Sequence, residues 1–221
     1  MDRPTIVLTI SRQFASGGSY IGQAVARRLG LRYADRDVLA RAAEESGLNE
    51  EDLAAGEERA ASLWNGFFGQ YALGAPEAPF VVPLPPRVTE RDVFRIESRI
   101  IREIAARSDA VIVGRAGFHV LAGHPGLISI RIHAREEWRI ERAMESYGIS
   151  SAAEARDLIR SSDQQRARFV RSFTGRDWND ACTHHLCLDT GAVGLELATE
   201  LVVTLVAGRM KARPAPAAAG S

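Results

Sequence analysis

TIVLTISRQFASGGSYIGQAVARRL, residues 5–29, changes periodicity twice within twenty-five residues. Ile6 to Ile10 is an unbroken β-branched and leucine run closing on Ser11, the pattern of a parallel strand buried on both faces. Small residues follow. From Ser19 the apolar positions Ile21, Ala24, Val25 and Leu29 recur at helical spacing, and Gly30 is placed to stop that helix. A strand, a small-residue loop and a helix N-terminus form an anion site, because successive backbone N–H groups turn inward and the helix dipole adds partial positive charge. Ala15, Ser16, Gly17, Gly18 and Ser19 supply that loop. Glycine turns also join strands to helices in folds that bind nothing there, so the loop alone leaves both readings open.

The alternation continues outward. Leu31 to Ala34 reads as a short strand ending at Asp35, and Asp37 to Ser46 as a helix. Residues 47–88 break the rhythm with an acidic start, aromatic residues at Trp64, Phe67 and Phe68, and the proline-rich PEAPFVVPLPPRV, so they are expected to form an insert. Thr89 can cap a helix to Arg107 that buries Val93, Ile96, Ile100, Ile101 and Ile104. Ala110 to Val113 is a strand running into Gly114 and Arg115. Leu127 to Ile132 is another, followed by a charged helix from Arg135 to Tyr147. Ser151 to Phe173 reads as an arginine-bearing helical pair, His185 to Leu188 as the last strand, and Leu195 to Val206 as the closing helix. The tail, 211–221, lacks periodicity and is expected to be disordered. Strands alternating with helices predict a parallel sheet covered on both faces, with ligands at the carboxyl ends of its strands. Ser11 to Gly18, Asp35, Arg36, Gly114, Arg115 and His133 fall at such ends.

Composition narrows the classes. At 221 residues, 46% hydrophobic and 25% charged, the chain predicts one principal globular domain over 1–210. With 28 basic and 28 acidic residues the net charge is +0, so no overall field draws it to nucleic acid or to a membrane surface, and neither partner is expected. Cys182 and Cys187 lack metal-type spacing, and no stretch resembles a signal or a span, so a cytoplasmic location is expected. His184 and His185 are adjacent and would point to opposite faces of a strand, which does not make a metal pair. The only lysine is Lys211, in the tail, so any cation at a phosphate site within the fold must be arginine.

That matters at residues 12–19, RQFASGGS, which align with the phosphate-loop signature GxxxxGK followed by Ser or Thr. Arg12 stands at the first glycine, Gly18 at the lysine, and Ser19 keeps the hydroxyl that reaches magnesium. The segment LTISRQFASGGSYIGQAVARRLGLRYADRDVL resembles the opening of the cytidylate-kinase-like family, including the variant with two glycines where the lysine would stand. VIVGRAGFHVL, SIRIHAREEWRIERAM, DQQRARFVRSFTG and HHLCLDTGAVGLELATELV resemble later segments of that family in the same order.

The resemblance implies a P-loop NTPase-type α/β fold: a parallel sheet with helices on both faces, a small acceptor-side insert at 47–88 and an arginine-bearing helical lid at 150–176. It implies ATP and Mg²⁺ as cofactors, with the loop Ala15 to Ser19 on the donor phosphates and Ser19 on the metal. Asp35, Arg36, Arg115 and Asp163 would serve the phosphate acceptor. Arg166 and Arg168 would neutralise the transferring group, with Arg12 nearest to replace the lysine. Ser161, Gln165 and His133 depart from the family pattern. Three readings follow: a nucleoside monophosphate kinase acting on CMP, a kinase for another small phosphate acceptor, and a nucleotide-binding module without turnover.

Overall fold

The computed structural model describes residues 4–35 and 90–213. Arg36, the helix expected over 37–46, the insert at 47–88 with its aromatic residues, Thr89 and the tail from 214 onward lie outside the described residues.

Five strands form one sheet: β1 (Val7–Arg12), β2 (Arg32–Ala34), β3 (Ala110–Val113), β4 (Leu127–His133) and β5 (Leu186–Asp189). Their order is β2-β3-β1-β4-β5 and every pairing is parallel. β1 lies at the centre, with Leu8 beside Val111 on one side and Ile128 on the other. All six of its residues are buried, as expected for a strand covered on both faces.

The pleat sorts the side chains. Leu8, Ile10, Val111, Val113, Ile128, Ile130 and Ile132 project to one face, where α1 (Gly18–Leu29) brings Ile21 and Val25 and a C-terminal helix brings Ala198, Val202 and Val206. Val7, Ala110 and Ile112 project to the other, beneath Ile100, Ile101 and Ile104 of α2 (Glu90–Arg107). Each of these large side chains contributes roughly 1.5–3 kcal/mol on burial, so the two faces fix the register of the strands. Gly30 ends α1 with φ 65°, in the left-handed conformation glycine tolerates.

Three expectations are corrected. The arginine-rich stretch is not a helical pair but one helix, Ala152–Thr174, capped by Ser151, whose hydroxyl accepts the Glu154 N–H. The closing helix does not stop at Val206 but continues from Leu195 to Lys211, and beyond it Arg213 pairs with Asp109 at 2.6 Å. Order therefore persists to residue 213, past the start expected for the tail. Two single-turn helices, α3 (Gly117–Val120) and Thr190–Val193, lacked any apolar period to announce them. With Glu136–Tyr147 as α4, the long helix is α5, Thr190–Val193 is α6 and the last is α7.

Candidate active site at the ends of β1 and β3

Among the described residues, every non-glycine with positive φ sits just past a central strand: Ala15 at 57° after β1, and Arg115 and Ala116, both at 51°, after β3. Gly17 and Gly114, each at 83°, accompany them. Left-handed backbone at non-glycine residues is costly and persists where surrounding structure holds it, often at binding sites. Here it marks two adjacent turns at the carboxyl edge of a parallel sheet, where such sheets bind ligands.

The first turn is braced on all sides. Gln13 N–H donates to the Ile132 carbonyl at 3.1 Å, and the Gln13 side-chain oxygen accepts from Ala134 N–H at 3.1 Å. The Ser16 hydroxyl donates to the Gln13 carbonyl at 2.8 Å, and the Thr190 hydroxyl to the Ser16 carbonyl at 2.8 Å. Phe14 is fully buried beside Ile140, Ala143 and Ile159 in the angle between α4 and α5. Asp163 of α5 accepts the Phe14 N–H at 2.8 Å and pairs with Arg139 of α4 at 2.6 Å, while Arg139 also donates to the Phe14 carbonyl at 3.3 Å. The backbone of the loop is thus tied to the helix pair above it. Ser19, second residue of α1, is buried.

Gly17 leads into α1 with φ 83°, and a Cβ there would strike Leu195. Gly18 lies over the stem of Arg12, with a Cβ at that position falling 2.5 Å from Arg12 Cβ and 2.8 Å from Cγ. The Arg12 side chain is 8% exposed and its guanidinium ends against Gly114. Asp35, at the end of β2, is also buried. The neighbouring Tyr33 phenol has its pKa raised by burial first and then by the Asp35 charge.

Arg115 reaches back to Glu97 of α2. Its Nε donates to Glu97 Oε2 at 2.7 Å, and Nη2 to the same oxygen. Its guanidinium also stacks 4.5 Å above the Phe169 ring. Phe94 of α2 stacks on Phe173 at 4.5 Å, joining α2 to the C-terminal part of α5.

On α5, Arg166 faces the loop: Nη1 donates to Ser162 Oγ at 2.6 Å and the guanidinium lies 5.9 Å from the Phe14 ring. Two residues on, about 200° around the helix, Arg168 lines an open groove with Arg171, Arg176 and Trp178. The structure therefore brings Arg12, residues 15–19, Asp163 and Arg166 around one loop, sets Asp35 and Arg115 beside it, and turns Arg168 elsewhere.

Sequence reasoning missed three buried charges. Glu97 and Arg139 were not singled out in the sequence, although Glu97 falls four residues after Val93 on the expected buried face. Arg131 of β4 is 5% exposed, donates to the Trp178 carbonyl at 2.6 Å and to Asn179 Oδ1 at 2.7 Å, and stacks 4.5 Å over Trp178. The signal was the alternation of Ser129, Arg131 and His133 in a strand covered on both faces. Beside it His184 is buried against Phe118, and its pKa is lowered to about 4 by burial and then by Arg131.

A glycine-bearing loop between a central parallel strand and a helix, with an arginine-bearing helix packed above it, defines a P-loop kinase-like fold. Solved structures carry the same architecture. A protein from Eubacterium ventriosum ATCC 27560, described as uncharacterized, superposes with a TM-score of 0.67 at 19% identity, over 92% of this chain and 99% of that one. A gluconokinase from Sinorhizobium meliloti 1021 gives 0.50 at 16%, over 94% of each chain. A shikimate kinase from Bacteroides thetaiotaomicron gives 0.51 at 13%, over 91% and 98%. No curated protein matches the chain. The cytidylate kinase-like family matches residues 7–192, and the chain belongs to that family.

No helix among the described residues is long and apolar enough to cross a membrane.

Proposed function

We propose that this chain is an ATP-dependent phosphotransferase acting on CMP or a similar small phosphate acceptor, with arginine doing the work of the P-loop lysine. The reading is carried by the two left-handed turns after β1 and β3, which set an anion loop and Arg115 side by side. Small-residue backbone from Ala15 to Ser19 suits donor phosphates, since side chains there would fill the space the phosphates need. Asp35, Arg36 and Arg115 are assigned to the acceptor.

The loop is a fit for ATP on the chemistry of its donors: left-handed Gly17, the N-terminus of α1 and a buried arginine, Arg12, with no carboxylate partner among the described residues. Mg²⁺, when bound beside Ser19, would neutralise phosphate oxygens. Phosphoryl transfer then asks the protein to hold donor and acceptor in line and to balance charge on the equatorial oxygens. Arg166 is assigned that balance from above the loop and Arg12 from below. Asp163 positions Arg166 and anchors the loop through Phe14. Arg168 stands outside this set unless α5 moves.

A coupled ADP-release assay with Mg²⁺-ATP against CMP, dCMP, UMP, AMP and GMP tests the reading. Turnover is expected with CMP, and Arg115→Ala and Arg166→Ala should each reduce kcat/KM by at least tenfold. ATP binding without turnover on any acceptor would replace the enzyme with a nucleotide-binding module on the same fold.

A further inference from the structure

We propose that the phosphate-binding cation of the loop has moved from residue 18 to residue 12, and that Gly18 is a glycine because the stem of Arg12 fills the space over it. The proposal rests on the nucleotide-binding reading above and adds a steric rule to it.

Arg12 is an unusual buried charge. It is 8% exposed, its Nε has no hydrogen-bond partner, and no ion pair joins its guanidinium to a carboxylate among the described residues. A buried arginine normally has a carboxylate or an anion to offset the loss of water. The other buried guanidiniums near the loop conform: Arg139 has Asp163, and Arg131 has two oxygens and an aromatic face. Among the described residues no carboxylate takes the donors of Arg12, and a planar fork favours phosphate oxygens.

Its path explains Gly18. Arg12 Cβ and Cγ run directly beneath Gly18, where a Cβ would fall 2.5 and 2.8 Å away. Those two atoms belong to the strand end of the side chain, so no rotation of the guanidinium relieves the overlap. A lysine at 18 is therefore incompatible with arginine at 12, and the loop can carry its cation at one position or the other. The far end of Arg12 occupies the place a Cβ on Gly114 would take, and Gly114 has φ 83° besides. The charge consequently approaches from between β1 and β3, one residue from Arg115, instead of from the first turn of α1. The ligand class is the terminal phosphate of a polyphosphate, gripped on its β3 side.

The experiment uses the full chain and measures melting temperature and calorimetric affinity for ATP, AMP and inorganic tripolyphosphate. Variants are Arg12→Met, Arg12→Gln, Gly18→Lys, Arg12→Gly and Arg12→Gly with Gly18→Lys. Arg12→Met and Arg12→Gln are expected to weaken ATP and tripolyphosphate at least tenfold and AMP less than threefold, a split that a packing role would not produce. Gly18→Lys should lower the melting temperature when Arg12 is present and not in the Arg12→Gly background. There it should recover at least tenfold in tripolyphosphate affinity over Arg12→Gly alone. The proposal is overturned if either neutral variant binds tripolyphosphate as the parent does, or if Gly18→Lys costs the same in both backgrounds. A parent protein that binds neither ATP nor tripolyphosphate overturns the nucleotide reading along with it. Binding by the parent and loss of the position-12 effect removes this inference alone.

Discussion

Two buried arginines, Arg12 and Arg139, lie against the loop of residues 13–19, and the fold keeps them in different ways. Arg139, between α4 and α5, is paired to Asp163 and donates to the Phe14 carbonyl, so its charge serves to hold the loop in place. Arg12, at the end of β1, has no carboxylate partner among the described residues and runs beneath Gly18 to end against Gly114. One arginine is paired to a carboxylate and the other, among the described residues, is not. A guanidinium paired in this way stabilises a shape, and one without such a partner costs stability.

The difference can be broken most severely from the paired side. Asp163→Ala leaves Arg139 without its carboxylate and the Phe14 N–H without its acceptor, and should cost about 3–5 kcal/mol in urea unfolding. A loss below about 1 kcal/mol would mean that the pair does not hold the loop. Gly18→Ala probes the unpaired side by pressing a methyl group onto the Arg12 stem, with an expected cost of about 1–3 kcal/mol, read by the same unfolding curves.

His184 extends the comparison to a titrating group, since both ring nitrogens are buried without hydrogen-bond partners. Its folded pKa is lowered to about 4, whereas an unfolded histidine titrates near 6.5. Between those values the unfolded chain binds the extra proton, so His184's contribution to stability falls as pH drops from about 6.5 and levels off below about 4. His184→Leu should flatten that part of the stability profile, and an unchanged slope would assign it to other groups. The smallest effect is expected at Arg168→Ala, whose side chain lines an open groove: within about 0.5 kcal/mol by thermal unfolding.

Much of the architecture was legible in sequence because a doubly covered parallel sheet leaves long apolar runs. Ala110 to Val113 was read with the bounds the structure gives, and β1, β4 and α1 within one or two residues. The single long α5 was read as two helices because Ser161, Ser162 and Asp163 form helices poorly. In the fold Ser162 and Asp163 turn inward, where they take bonds from Arg166 and the loop, and tertiary contact overrides propensity. The loop itself could be located by its glycines. The sequence also offered Arg12 as the arginine nearest the lysine's place, but the route of its side chain beneath Gly18 to Gly114 depends on how two strands pack. Nor does spacing along a chain say which of two arginines on one helix faces the site; a turn of about 200° separates Arg166 from Arg168.

The lysine-poor composition has a practical corollary at the far end of α7. Lys211 is the sole lysine and lies exposed in the last turn of that helix. Acylating reagents that react with amines and spare guanidinium groups will therefore find one side chain to modify, apart from the chain's own α-amino group. A fluorophore or a surface tether can be attached there without touching any arginine of the loop. Dicarbonyl reagents, which seek guanidinium groups, are the ones whose reaction should be slowed by a nucleotide bound over Arg12.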